Sequence, residues 1–420
     1  MRSESRECLH ALPSREEEKP PLWWVKITLL YDSYKFIKMT REELSILLLP
    51  EVQQAIDENI ARDAVQVALD GRIPHAREVA TQVKYLQRAR TKLPRLYEAR
   101  AIIPARAFEQ SSSEECAAAK RLTGGTLLDL TCGLGMDSIA FSTHFERVVA
   151  LERDEVLADV VRENLRRLCI DNVEVITTSA EEYVAACKEH FDWIYADPDR
   201  RTAEGRRVVR LEDCSPDMVA LWPALRRITE RVAIKNSPLF DVEEAFRLFG
   251  ECGVEVISLG GECKEVNIYA DGREPQLAAE AVGRGREEYL RREIVDMPSE
   301  GEFAAEEYGW LIIPDVALQK ARLAQHSLRT KADIWGNNSF AFARTEPEGV
   351  LGRVERIERI EKFDIKRLKR ELKGRGVDII LRDFPLSVDD IRRRTGSRSG
   401  NEVRLALTRV RGESYVVYLE

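Results

Sequence analysis

The pattern of hydrophobic and polar positions changes character near residue 126. From Thr40 to about Ala107, apolar residues recur at helical spacing, with no strand-like alternation. Thr40-Arg-Glu-Glu43 has capping-box spacing ahead of an apolar run and predicts a helix start. Gly71 and Pro74 interrupt the pattern, and Pro94 and Pro104 punctuate its end.

Downstream, short apolar or β-branched runs alternate with helical stretches. The runs are Thr126–Leu130, Arg147–Leu151, Val173–Thr177, Trp193–Ala196, Arg231–Lys235, Val254–Leu259 and Val266–Ala270. The first five joins are long enough for helical crossovers, which predicts a parallel sheet covered on both faces. Only Gly260 to Glu265 separates the sixth run from the seventh. A parallel crossover needs about a dozen residues or more, so these two strands should pair antiparallel. The expected fold class is α/β, with a seven-stranded sheet of which the last strand is reversed.

Asp271 to Arg344 has a mixed texture. Helices are expected at Glu274–Glu293 and Ala317–Gln325 around a strand at Trp310–Ile313. After Glu346 a compact α+β unit follows, with a helix at Phe363–Lys373 and a strand at Val377–Arg382. A helix begins after Ser387, and Val403–Val410 and Ser414–Leu419 form a hairpin. The expected division is a flexible or loosely packed N-terminus (1–35), a helical region (36–110), the α/β sheet domain (111–272), a small mixed α+β domain (273–345) and a C-terminal α+β domain (346–420).

Composition narrows the class. Of 420 residues, 44% are hydrophobic and 33% charged, which fits a globular protein, and no run nears the roughly 20 apolar residues of a membrane span. Eight cysteines are scattered without a Cys-x-x-Cys pair or zinc-ligand spacing, so the expectation is reduced thiols in a cytoplasmic protein and no metal site. The net charge is −8, yet residues 346–420 hold 18 Lys and Arg against 14 Asp and Glu, a net of +4. A basic tail on an acidic body is compatible with RNA contact and equally with a charged helix surface.

The candidate chemistry lies at the strand ends. The first strand ends in Asp129-Leu-Thr131-Cys-Gly133-Leu-Gly135-Met-Asp137, then a helix. Glycines there let the backbone turn sharply and approach a ligand, and loop amides at a helix start suit a carboxylate. Glu152 closes the second strand, 19 positions after Gly133, near the spacing at which an acidic residue meets a ribose. Ser179-Ala180-Glu181 closes the third strand and Asp197-Pro198 the fourth. Open α/β sheets bind ligands at such carboxyl ends. The third glycine of a dinucleotide fingerprint would fall at Ser138, so that fingerprint is incomplete.

The motifs Asp129–Asp137, Leu151-Glu-Arg-Asp154 and Tyr195-Ala-Asp-Pro-Asp-Arg-Arg201 resemble those of class I methyltransferases, whose sheet has this reversed last strand. Lys92-Leu-Pro94, Glu109-Gln-Ser-Ser-Ser-Glu114 and Asp383-Phe-Pro-Leu-Ser387 extend the resemblance to bacterial methyltransferases with a C-terminal THUMP-like domain, relatives of the trimethylguanosine synthase-like RNA enzymes. It implies a Rossmann-like sheet, a helical N-terminal region, a small ferredoxin-like insert at 273–345 and a THUMP-like unit at 346–420. It also implies S-adenosyl-L-methionine as cofactor and RNA as substrate. Carried over, Asp129, Thr131, Gly133, Gly135 and Asp137 surround the methionine end, and Glu152 binds the ribose. Arg153, Ala180 and Glu181 flank the adenine.

Methyl transfer from a sulfonium needs alignment and electrostatics. Asp197 is the candidate acceptor-orienting residue, aided by the Pro198 carbonyl, for an exocyclic amine on an RNA base; the alternative is that Asp197 caps a turn. Amino-methylating relatives carry an aromatic after the second proline, where this chain has Asp199-Arg200. Arg200 and Arg201 open an arginine-rich loop with Arg206, Arg207 and Arg210, either a phosphate clamp or a solvated surface. Lys235 and Ser237, in Lys-Asn-Ser-Pro238, line the acceptor side or start a helix. Ser112-Ser-Glu-Glu115 reads as a capping box. Two further readings stay open: methylation of a small molecule or protein, and a non-catalytic RNA-binding protein on the same fold.

Overall fold

The computed structural model describes residues 38–199 and 210–420, so the expectation for residues 1–35 lies outside the described residues. The described chain forms two compact units, residues 38–87 with 102–111, and residues 88–101 with 112–420.

The first unit is helical. In α1 (Arg41–Leu47) the Thr40 hydroxyl accepts from the Glu43 amide and the Glu43 carboxylate accepts from the Thr40 amide, the expected capping box. Next come α2 (Pro50–Asn59), α3 (Ala64–Leu69), which Asp63 caps, and α4 (Ala76–Lys92), which carries the chain past Gln87. The short α5 (Pro94–Glu98) belongs to the second unit and α6 (Ala105–Gln110) to the first. Within the first unit the buried Gln82 amide satisfies both backbone groups of Ile103, at 3.1 and 2.9 Å.

The second unit opens with α7 (Glu114–Ala119) and then alternates. Its elements are β1 (Gly124–Asp129), α8 (Met136–Phe141), β2 (Phe145–Glu152), α9 (Glu155–Arg167), β3 (Val173–Thr177), α10 (Ala180–Ala186), β4 (Trp193–Ala196), α11 (Met218–Ile228), β5 (Val232–Asn236), α12 (Val242–Phe249), β6 (Gly253–Leu259) and β7 (Glu262–Ala270). The strands lie in the order β3-β2-β1-β4-β5-β7-β6, with β1 to β5 parallel and β7 antiparallel to both neighbours. This is the expected seven-stranded arrangement. Its central residues, among them Leu127, Val149, Ile194 and Val232, are fully buried, as helices on both faces require.

The sheet does not stop at residue 272. β8 (Gln276–Ala281) runs parallel to β6, and β9 (Gly285–Leu290) closes a hairpin on it. A helix expected at Glu274–Glu293 is therefore a pair of strands. Alanines and glutamates there read as helix formers, but burial of Leu277 to Ala281 against β6 overrides propensity. Gly283 and Gly285, both at positive φ, turn the chain between the two strands.

A second sheet uses everything after residue 309. It comprises β10 (Trp310–Pro314), β11 (Asp333–Ile334), β12 (Ala341–Ala343), β13 (Gly352–Lys362), β14 (Gly376–Arg382), β15 (Arg398–Ser399), β16 (Val403–Val410) and β17 (Glu413–Leu419), in the order β11-β12-β10-β13-β17-β16-β14-β15. The long β13 pairs with β10 through its first half and β17 through its second. Residues 273–345 thus form no sheet of their own: β8 and β9 extend the first sheet, and β10 to β12 share the second with the chain after 346. Four helices accompany these strands: α13 (Val316–Lys320), α14 (Ala324–Leu328), α15 (Ile365–Leu372) and α16 (Val388–Thr395). The helix expected at Ala317–Gln325 is split, and Arg322 at φ 58° marks the break. The expected Ser387 cap and β16–β17 hairpin are present. Among the described residues no helix is long and apolar enough to cross a membrane.

Candidate active site

The loop after β1 is held by one buried carboxylate. Asp129, 1% exposed, accepts from the Thr131 amide at 2.9 Å and the Ser138 hydroxyl at 2.5 Å. No cation pairs with it among the described residues, and burial pushes its carboxyl up to about 7. Gly133 and Gly135 lie at φ 56° and 83°. A Cβ on Gly135 would stand 3.0 Å from the Val161 side chain, so the loop passes close to α9 only because nothing projects there.

Two strand ends brace this loop. Glu152 accepts from the Gly133 amide at 3.0 Å and the Asp154 amide at 2.8 Å, and burial raises its carboxyl. The Thr131 hydroxyl accepts from the Asp197 amide at 2.6 Å, which ties the loop to the end of β4. Asp129, Thr131, Gly133, Gly135, Glu152 and Asp197 therefore converge at the carboxyl edge of the parallel strands. Arg153 is exposed and donates to the Ser215 hydroxyl at 3.0 Å. Ala180 and Glu181 lie in the first turn of α10, not at the end of β3, because Ser179 and Glu182 form a capping box that starts the helix there. Ala180 is buried and Glu181 exposed.

Beside the loop lies a cluster of buried charges. The Lys120 ammonium, at the C-terminal end of α7, contacts Asp137 Oδ1 and Glu265 Oε1, each at 2.8 Å. Lys235, on β5, contacts Asp197 Oδ2 at 2.5 Å and the Ser112 hydroxyl at 2.9 Å. It also lies 4.0 Å from Asp137 and from Glu265. Asp137 Oδ2 accepts from the Tyr195 and Ser112 hydroxyls at 3.0 and 3.2 Å. Burial alone would raise the Asp137 carboxyl, but Lys120 and Lys235 outweigh it and hold it near about 2. Burial alone would likewise lower both lysines, and their carboxylate neighbours raise them instead. Both lysines are ammonium ions.

The cluster changes how several expected residues are read. The Asp137 carboxylate faces Lys120, Tyr195 and Ser112 rather than the glycine loop. Ser113, not Ser112, caps α7, which frees Ser112 for Asp137 and Lys235. Ser237 turns into its own loop, where its hydroxyl accepts from the Leu239 amide at 3.1 Å. Pro198 is buried, and the Asp199 backbone bridges Ser215 at 2.8 and 3.0 Å. Arg210 pairs with Glu212 at 3.3 Å. Arg200, Arg201, Arg206 and Arg207 lie outside the described residues. Sequence reasoning passed over Lys120 and Glu265, and gave Tyr195 no role of its own within the quoted motif. The available signal was a charged residue, Glu265, at the head of a strand run expected to be buried on both faces.

Known proteins match this organisation. The THUMP domain-like family model matches residues 352–420, and the tRNA (Uracil-5-)-methyltransferase model residues 82–195. An S-adenosylmethionine-dependent methyltransferase of Mycobacterium tuberculosis is 27% identical over 70% of this chain and 79% of its own. The ribosomal RNA small subunit methyltransferase J of Coxiella burnetii is 32% identical over 26% of this chain and 50% of its own. The chain is an S-adenosylmethionine-dependent methyltransferase. A Porphyromonas gingivalis methyltransferase of known structure has the same fold, with a TM-score of 0.74 and 24% identity over 91% of this chain and 99% of that one. The site fits the methyl donor: the buried Asp129 carboxylate, which has no cationic partner among the described residues, suits a cationic amino group, and the open, positive-φ Gly133 leaves room beside it.

Proposed function

We propose that this methyltransferase acts on RNA. The observation that carries this reading is a basic helix face on the unit matched by the THUMP domain-like model. Lys366, Lys369, Arg370 and Lys373 of α15 and its C-terminal end line a shallow depression beside Asp364, all exposed. Leu368 and Leu372, on the opposite side, are buried on the second sheet with Leu405 and Leu407. Cations arranged on one face suit a phosphate backbone. The names of relatives matched over parts of the chain, ribosomal and transfer RNA methyltransferases, point the same way.

In this reading the donor supplies an electrophilic methyl group on sulfur. Asp129 holds the amino group of its methionine part, and the loop from Thr131 to Gly135 encloses that end. Glu152 accepts from the ribose hydroxyls. Arg153, Ala180 and Glu181 border the adenine. Asp197 orients the acceptor, with Pro198 shaping the wall beside it. A pyrimidine ring carbon is a poor acceptor here, since it requires a thiolate that adds to the ring. Cys132, within this loop, and Cys116, on α7, are buried, and burial pushes both thiols up.

The test is incubation with methyl-tritiated donor and total bacterial RNA, protein and metabolite fractions. Label in RNA is expected, and label confined to protein or metabolites refutes the reading.

A further inference from the structure

We propose that the acceptor is a hydroxyl oxygen rather than an exocyclic amine, and that Lys120, Asp197, Lys235 and Glu265 form the group that handles it. Where the substrate is RNA, that oxygen is the ribose 2′-hydroxyl; this last step alone rests on the RNA reading.

The four side chains come from four separate elements. Lys120 follows α7, Asp197 follows β4, Lys235 sits on β5 and Glu265 on β7. They meet at 2.5 to 4.0 Å. Their side chains are 1%, 23%, 8% and 2% exposed, so Asp197 is the member an acceptor meets first. The groups near Asp197 include Lys235 from β5, Asp137 from α8, Glu265 from β7, Asp129 from β1, the Tyr195 hydroxyl from β4 and the Thr131 hydroxyl, with Lys120 next to Lys235.

The chemistry of the two acceptor types differs at this point. An exocyclic amine has two N–H groups to hold, and its nitrogen gains positive charge as the methyl arrives. A site for it offers several acceptors, no nearby cation and a ring on which the base stacks. Here one Asp197 oxygen is already bonded to the Lys235 ammonium. Asp199, whose backbone is pinned to Ser215, stands in place of the second proline of amino-methylating relatives, and their aromatic is replaced in the sequence by Arg200. A hydroxyl has one proton to hold, and its oxygen gains negative charge as that proton leaves. One carboxylate acceptor backed by an ammonium fits both needs.

The step balances simply. An oxygen lone pair forms the new O–CH3 bond, and the donor's C–S bond breaks with its electron pair kept by sulfur. The hydroxyl proton passes to the Asp197 carboxylate and from there to water. Lys235, already an ammonium, is not the base; its charge stabilises the oxygen as the proton departs. Ser112 fixes Lys235 from the far side, and Lys120 with Glu265 and Asp137 fixes the background charge.

Product chemistry tests this directly. The full chain is incubated with methyl-tritiated donor and total bacterial RNA, and the RNA is hydrolysed in alkali. A 2′-O-methyl group blocks cleavage of the adjacent phosphodiester, so label is expected in alkali-resistant dinucleotides. Label released in base-methylated mononucleotides overturns the hydroxyl acceptor and leaves the RNA reading standing. Label in protein or metabolites instead overturns the RNA reading, and methyl on oxygen or on nitrogen in that product then upholds or overturns the hydroxyl. Label in no fraction overturns both. Lys235→Met should lower turnover about a hundredfold, within the range for losing one group that stabilises a developing oxyanion. Lys235→Arg should restore part of it, and calorimetric affinity for S-adenosylhomocysteine should stay within about threefold, since the cationic group is not needed to bind it. Unchanged turnover in Lys235→Met overturns the assignment.

Discussion

The Gly133 amide donates to the Glu152 carboxylate across 3.0 Å, and this bond joins the glycine loop to the end of β2. Glu152 accepts from Asp154 as well, so the carboxylate is fixed before any ligand arrives. A ribose would meet a preoriented acceptor. Hydrogen bonds to a charged partner contribute about 1.5–3 kcal/mol. Glu152→Gln should therefore weaken S-adenosylhomocysteine binding by roughly tenfold to a hundredfold, read by calorimetry. Unchanged affinity would remove Glu152 from the donor site.

Asp129 should make the stability of the ligand-free protein depend on pH. Its folded carboxyl is raised to about 7 by burial, against about 3.9 in an unfolded chain. Between those values the folded state binds the extra proton, so stability falls as pH rises through the window and levels off above it. Asp129→Asn should flatten this slope in thermal melts between pH 5 and 8. Binding of a cationic amino group favours the ionised carboxylate, so donor binding at pH 6 should release a proton. Calorimetry in buffers of different ionisation enthalpy measures it, and a buffer-independent heat would contradict the placement of Asp129.

Lys120 stands between two buried carboxylates, and its side chain is 1% exposed. Removing one partner from such a cluster leaves uncompensated charge, typically a loss of 3–5 kcal/mol. Lys120→Met should destabilise the protein by about that amount in urea unfolding. Adding Glu265→Gln to that variant should recover part of the loss, because one unpaired carboxylate is then removed. If the double variant is less stable still, the pair does not act as a charge-compensated unit.

Much of this was legible in the residues. Each of the seven runs holds a strand of the first sheet, and the short join at Gly260 to Glu265 fixed the reversed strand. The glycine loop and the acidic strand ends at Asp129, Glu152 and Asp197 stand where the spacing put them. Strand patterns are local, so periodicity finds them. The cluster was not legible, because Lys120 and Glu265 are 145 positions apart and meet only through the sheet order β1-β4-β5-β7. Ser112 was hidden for a different reason. Two serines in a row offered the same capping signal, and only the folded helix start selects Ser113. β8 was misread because alanine-rich composition carries no trace of the neighbour that buries it.

That adjacent pair makes a clean comparison. Ser113 accepts from the Cys116 amide at 3.3 Å and does nothing at the charge cluster. Ser113→Ala should cost about 1 kcal/mol of stability with turnover unchanged. Ser112→Ala removes a contact to both Lys235 and Asp137 and should lower turnover, with a stability cost of about 1–3 kcal/mol. Parallel melts and turnover assays separate the two, and equal effects on turnover would mean that Ser112 acts only through the helix.

The basic face of α15 carries the last prediction. Lys366, Lys369, Arg370 and Lys373 lie on one side, while Arg367 is engaged by Glu361 and Glu371. If the four cations meet phosphates, each contact releases condensed counterions, and affinity falls with salt by a slope of about 0.7 per phosphate on a single strand. Lys369→Glu with Arg370→Glu should weaken binding of total RNA, in filter assays, and lower the salt slope by roughly one to two. Folding should be unaffected, since Leu368 and Leu372 hold the helix on its sheet from the other side. Binding of S-adenosylhomocysteine should be unaffected too, because no donor-site residue lies on α15. A salt slope equal to that of the unmodified protein would move the RNA contact to another surface.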